Sequence, residues 1–247
     1  MAEPEPEPAA ERTPRRPADA ARVRAADIHP PTRLESIAYA TLQALVVAVT
    51  KLWFRLEIVG REKVPAHGPF VLAPVHRSNI DFMLVGAVTR RRMRYMGKAS
   101  IWKWRASNWF ISMMGAFPVH RGTADRDALR TSLEVIGNGE PLVMFPEGTR
   151  QSGPELAPTF DGPAYVASRT GVPLVPVGIG GSEQAMPRGA KFIRPRKVVM
   201  VVGDPIVPPA TEGGGRVPRR VVRELTEQLD EAIQGVYDEA RRRAGVA

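Results

Sequence analysis

From residue 70 onward, short apolar runs alternate with longer stretches in which apolar residues recur every three or four positions. The runs at 70–75, 142–145, 174–179 and 198–202 are rich in β-formers, whereas 82–89, 101–114, 125–136 and 164–170 carry helical spacing. Strand–helix alternation of this kind predicts an α/β domain with a largely parallel central sheet. Near the end, Val221, Leu225, Leu229, Ile233, Val236 and Ala240 fall three or four apart. That spacing predicts an amphipathic helix over 217–243, packed on the sheet.

Two segments precede this pattern. Residues 1–32 hold seven prolines, an acidic start and scattered arginines, which predicts a disordered tail. The tail has no apolar core of a signal peptide, so the following domain is expected on the cytoplasmic side. Residues 36–50 carry no charge and lead into Lys51, Leu52, Trp53 and Phe54. As a helix the uncharged run is about 22 Å long, against about 30 Å of hydrocarbon in a bilayer. It can be a strained single span, a buried core helix, or a helix lying in the membrane interface. The Trp53-Phe54-Arg55 end favours the interface.

Composition narrows the chemistry. Thirty-five basic against 26 acidic residues leave +9, and 29 of the basic residues are arginine. Arginine is a planar fork for phosphate oxygens, so an anionic partner is expected. The basic run 90–94 and the Trp- and Lys/Arg-bearing run 102–105, with Trp109 and Phe110, fit a basic aromatic surface facing lipid; a packed helix core explains the tryptophans equally well. The pI near 10.4 also suits nucleic acid. Acidic residues are spread throughout rather than leaving one basic stripe, so no nucleic-acid partner is expected. Without cysteine there is no disulfide, Cys-type zinc site or thiol nucleophile. Four histidines without an HExxH pair predict no metal. No Gly-x-Gly-x-x-Gly, Walker A or Gly-x-Ser-x-Gly sequence occurs.

Three segments carry candidate chemistry. An apolar strand runs into His76, and ligands of α/β sheets collect at the carboxyl ends of strands. A histidine can take a hydroxyl proton at neutral pH, and Asp81, five residues on across a turn, can fix its tautomer. Ser78 and Asp81 also have the spacing of a helix capping box, so a purely structural role competes. A second buried strand ends in Phe145, Pro146, Glu147, Gly148, Thr149 and Arg150. Gly148 permits close backbone approach, and Arg150 offers a fork to phosphate; an exposed turn with a Glu–Arg pair is the alternative. Arg121 ends a short extended apolar piece from Gly115, as an anion anchor or a plain surface residue. His120 beside it has no carboxylate at comparable spacing before Asp125 and ranks below His76.

Taken together, His-x4-Asp, Gly-x-Phe-x-Val-x-Arg, Phe-Pro-Glu-Gly-Thr-Arg and Val-Pro-Leu-Val-Pro-Val, in this order across 60–208, resemble the glycerolipid acyltransferases. The resemblance is narrowest to the bacterial 1-acyl-sn-glycerol-3-phosphate acyltransferases. It implies a glycerolipid acyltransferase-type α/β domain over 57–247, preceded by a membrane-docking helix at 33–56. It further implies His76 as general base with Asp81 as its partner. Arg121, Glu147, Gly148 and Arg150 would bind the glycerol phosphate, with Lys98 and Thr149 as further substrate-binding residues. The implied partners are acyl-CoA or acyl carrier protein as donor, lysophosphatidic acid as acceptor, and the cytoplasmic membrane surface; no cofactor is implied. One departure stands out. Relatives carry Phe-Lys-x-Gly after the Phe-Pro-Glu-Gly-Thr-Arg turn, whereas here Phe160, Asp161 and Gly162 follow, with no lysine between Lys103 and Lys191.

Overall fold

The structure is a computed structural model that describes residues 33–98, 115–119, 126–209 and 217–246. One sheet contains β1 (Glu57–Val59), β2 (Val71–Pro74), β3 (Arg94–Lys98), β4 (Ala116–Val119), β5 (Leu142–Val143), β6 (Leu174–Gly180) and β7 (Val199–Val202). Their order is β1-β7-β6-β2-β5-β3-β4. Strands β6, β2, β5, β3 and β4 are mutually parallel, while β7 runs against β6 and carries β1 parallel to itself. This is the largely parallel α/β sheet expected. The central strands are continuous buried apolar runs, as strands covered on both faces require. The unexpected strands are β1, with three residues, and β3, whose Arg-Tyr-Met-Gly-Lys sequence has no apolar run to reveal it.

The helices are α1 (Arg33–Phe54), α2 (Asp81–Val85), α3 (Arg126–Gly137), α4 (Gly162–Thr170), α5 (Ser182–Ala185) and α6 (Arg219–Ala244). The expected helix at 101–114 and the tail at 1–32 lie outside the described residues. Helix α2 is shorter than the 82–89 expected; turns continue it to Val88. Helices α3, α4 and α6 pack together, and α1 packs with α2. The β2-to-β3 crossover runs across the sheet opposite to the β4-to-β5 and β5-to-β6 crossovers, so right-handed connections put the two groups on opposite faces.

Helix α6 covers β6 and β7 with Val222, Leu225, Leu229, Ile233, Tyr237 and Ala240. Leu225, Leu229, Ile233 and Ala240 are buried as expected, whereas Val221 and Val236 are half-buried and their neighbours Val222 and Tyr237 are the buried residues. Glycine is required beneath the helix. A Cβ at Gly178 would lie 2.3 Å from the Val236 carbonyl oxygen, and one at Gly180 2.3 Å from that of Ala240.

Helix α1 buries Tyr39, Gln43, Thr50 and Phe54 along one side. Gln43 Nε2 donates to the carbonyls of Gly86 and Thr89 at 2.9 and 2.8 Å. At the far end the Phe54 carbonyl accepts the Val198 N–H at 3.0 Å, where β7 begins beside the carboxyl end of β6. The other side exposes Leu34, Ile37, Leu45, Val49 and Leu52, and only 22% of the apolar stretch Ser36–Phe54 is buried.

Of the arginines at 90–94, Arg90 is exposed, Arg91 and Arg92 are half-buried, and Arg94 is buried. Arg94 is buried against Glu140 at 2.7 Å, Arg91 donates to the Pro65 carbonyl at 3.0 Å, and Arg92 lies over the Tyr39 ring. Arg94 thus helps hold the edge where β3 starts.

Candidate active site

Strands β2 and β5 are neighbours, with Val71 opposite Leu142, so the loops that follow them emerge side by side. The first loop carries His76, whose Nδ1 lies 3.1 Å from Asp81 Oδ2. The same oxygen accepts the N–H groups of Arg77 at 2.7 Å and Ser78 at 2.6 Å. The five-residue step works because the chain turns at Ser78, and Asp81, at the start of α2, reaches back across the turn. The capping alternative is half realised. Asp81 takes the Ser78 N–H as a capping carboxylate does, but the Ser78 hydroxyl donates instead to the Met186 carbonyl at 2.8 Å.

A buried carboxylate beside Nδ1 keeps the ring proton on that nitrogen and leaves the Nε2 lone pair available. The His76 side chain remains 11% exposed, and no described residue bonds Nε2. Phe145 holds the ring from one face, centroid to centroid at 4.3 Å. Such a pair can accept a proton from a hydroxyl and stabilise the imidazolium that forms.

Glu147, expected as a substrate ligand, is bonded within the fold. Its side chain is closed to solvent; Oε2 accepts the His76 N–H at 2.9 Å and Oε1 the Ala157 N–H at 3.1 Å. Arg77 Nη1 donates to both oxygens, at 2.6 and 2.7 Å. Both oxygens are thus taken up by partners within the fold, and the charge is matched by Arg77. Glu147 fixes the backbone at His76 to the end of β5. Arg77 ties in further elements: Nε donates to the Tyr237 hydroxyl at 3.1 Å and Nη2 to the Glu155 carbonyl at 2.9 Å. Burial pulls the Arg77 guanidinium down, but hydrogen bonding to Glu147 and its charge, with help from Tyr237, leave its pKa raised.

Arg77 and Tyr237 were missed in the sequence. A charge directly after an apolar strand was the available signal for Arg77. For Tyr237 it was the four-residue period Leu229, Ile233, Tyr237.

Gly148 has φ 63°, and a Cβ there would lie 2.7 Å from the Phe160 ring, so both backbone and space demand glycine. Thr149 is exposed, and Arg150 is half-buried with no acidic partner among the described residues. Gln151 N–H donates to the His76 carbonyl at 2.9 Å, so Arg150 is one residue from a direct bond to the histidine loop. Lys98 ends β3 at the same edge, two strands from β2. Arg121 lies outside the described residues, two positions past the end of β4. In the Phe160–Gly162 stretch, Asp161 accepts the Thr226 hydroxyl at 3.0 Å, which ties the loop to α6.

Fold and site define a class: α/β proteins with a carboxylate-held histidine at the carboxyl edge of a mostly parallel sheet. The chain belongs to the acyltransferase family, whose model matches residues 55–180, from just before β1 to the end of β6. It is 30% identical over 156 residues to the chloroplastic 1-acyl-sn-glycerol-3-phosphate acyltransferase BAT2 of Brassica napus, covering 59% of this chain and 45% of that one. It is 28% identical over 154 residues to the 1-acyl-sn-glycerol-3-phosphate acyltransferase of Bacillus subtilis, covering 61% and 73%. The chain thus spans under half the length of the plant relative. The crystal structure of the lysophosphatidic acid acyltransferase PlsC from Thermotoga maritima shares the fold, with a TM-score of 0.63, 24% identity and 83% of each chain covered.

Proposed function

We propose that this protein transfers an acyl group from an acyl thioester, acyl-CoA or acyl carrier protein, to the 2-hydroxyl of 1-acyl-sn-glycerol 3-phosphate, giving phosphatidic acid. The observation that carries the reading is the His76–Asp81 pair beside the turn with Arg150; among the described residues Nε2 has no partner and Arg150 no acid to neutralise it. His76 Nε2 takes the proton as the hydroxyl oxygen attacks the thioester carbonyl carbon. The tetrahedral intermediate collapses, the carbon–sulfur bond breaks, and the imidazolium returns its proton to the leaving thiolate. Asp81 holds the tautomer and the transient charge. Arg150, Thr149, Lys98 and Arg121 hold the acceptor phosphate, with the Gly148 turn giving its backbone close approach. Glu147 positions His76 and does not touch substrate. The reaction needs no acylated residue and no cofactor.

The acceptor carries an acyl chain and resides in a bilayer, so the protein docks on the membrane, on its cytoplasmic side. Helix α1 supports this reading. It packs against its own domain from Tyr39 to Phe54, so crossing the bilayer would pull the domain into hydrocarbon. Lying in the interface, it presents Leu34, Ile37, Leu45, Val49 and Leu52 to lipid. Thr41, on that side, already donates its hydroxyl to the Ile37 carbonyl at 2.9 Å. The test is an acceptor panel: purified protein, one acyl-CoA, and separately lysophosphatidic acid, glycerol 3-phosphate, a lysophospholipid and a glycolipid. Fastest turnover with lysophosphatidic acid supports the assignment; acylation of another acceptor alone replaces it.

A further inference from the structure

The segment from Pro187 to Val198, between α5 and β7, plays no part in the chemistry above, yet it exposes apolar and basic side chains together. Phe192 is 83% exposed and Ile193 40%. Around them Arg188, Lys191, Arg194 and Arg196 are exposed, with no side-chain ion pair or hydrogen bond among the described residues. No acidic residue occurs between Glu183 and Asp204.

The segment is held at both ends. Near its start the Met186 carbonyl accepts the Ser78 hydroxyl of the histidine loop at 2.8 Å, and Arg194 N–H donates to the Ala185 carbonyl at 2.8 Å. At its close Lys197 pairs with Glu57 at 3.1 Å, and Val198 N–H donates to the Phe54 carbonyl of α1 at 3.0 Å. It therefore links the catalytic loop to the end of α1, where Leu52 is 85% exposed and Trp53 also stands in solvent.

We infer that residues 188–196 form a second membrane contact, in which Phe192 and Ile193 enter the interface and the four free cations engage anionic lipid headgroups. This rests on the reading that α1 docks on a bilayer and adds a site to it. An aromatic and a β-branched side chain left in water gain nothing from the fold, whereas an apolar tip ringed by cations suits the headgroup region. Continuity with Leu52 and Trp53 favours lipid over an acidic protein, which would use the charges and leave the apolar tip unmatched. The consequence is orientation. With α1 and this loop both on the leaflet, the sheet edge that carries His76 faces the bilayer from which the acceptor comes.

The chain has no cysteine, so Phe192→Cys in the full-length protein accepts a single environment-sensitive fluorophore. With phosphatidylcholine–phosphatidylglycerol vesicles its emission should shift blue and rise, with little change on phosphatidylcholine alone. The same label at Gln228→Cys, exposed on α6, should not respond. The variant R188Q/K191Q/R194Q/R196Q should lose affinity for the anionic vesicles on the order of tenfold or more, and most of the salt dependence. It should keep wild-type turnover on acceptor dispersed in detergent. A protein that pellets with anionic vesicles while the label at 192 stays in water overturns this inference and leaves α1 docking intact. A protein that does not pellet overturns both. A label that responds to acyl carrier protein and not to vesicles makes the loop a protein-docking site and overturns the lipid assignment.

Discussion

Asp81 does two jobs with one oxygen: it receives the backbone turn at Arg77 and Ser78 and it holds Nδ1 of His76. The group that takes the turn's N–H groups and the group beside the histidine ring are thus the same, so the two readings of Ser78-x-x-Asp81 are not exclusive. This pair was legible because its members are five residues apart and one turn brings them together. Glu147 was legible as a special residue but not in its role, because its charge partner, Arg77, is 70 positions away. Glu147→Gln should break a buried ion pair and destabilise the protein by roughly 3–5 kcal/mol, read from the urea midpoint, with kcat falling as the His76 loop loosens. Unchanged stability would mean the pair carries nothing. Arg150 has the opposite environment, half-exposed and without an acid partner among the described residues, so Arg150→Ala should leave stability within about 0.5 kcal/mol. It should raise the acceptor KM by about tenfold or more, with the donor KM unchanged. A shift confined to the donor would reassign that arginine.

Among the elements, the buried strands β2, β5, β6 and β7 were readable as apolar runs, and α6 as a periodic stripe. β3 was not, because its place in the sheet comes from pairing with β4 and β5 rather than from its own polar sequence. The burial of Tyr237 in place of the expected Val236 has a local cause. Gly178 and Gly180 let the helix backbone descend onto β6 at Val236 and Ala240, which places Tyr237 where its hydroxyl reaches Arg77 and donates to the Gly153 carbonyl at 3.0 Å. Gly178→Ala should therefore push the helix off the strand and cost about 1–3 kcal/mol in thermal or urea unfolding. An unperturbed melting temperature would show that the contact relaxes without loss.

For the whole molecule, one edge of the sheet gathers His76, the Gly148–Arg150 turn and the ends of β3 and α1, while helices close both faces. The apolar length of α1 was plain in the sequence. Which side of it faces the domain was not, since that depends on Gln43 finding the carbonyls of Gly86 and Thr89. Replacing only the outer residues, as in L45Q/V49Q/L52Q, leaves the buried side intact and should move the protein from the membrane pellet to the supernatant at high salt with no loss of stability. Retention in the pellet would place the anchor elsewhere. The central claim is acyl transfer to a lysophosphatidic acid hydroxyl by a base held on Asp81. Mass-spectrometric measurement of phosphatidic acid from lysophosphatidic acid and acyl-CoA, with wild type and folded His76→Ala and Asp81→Asn proteins, tests it most directly. Wild type should give product, His76→Ala none above background, and Asp81→Asn a rate reduced on the order of 10³–10⁴-fold. Near wild-type phosphatidic acid formation by a folded His76→Ala protein would contradict it.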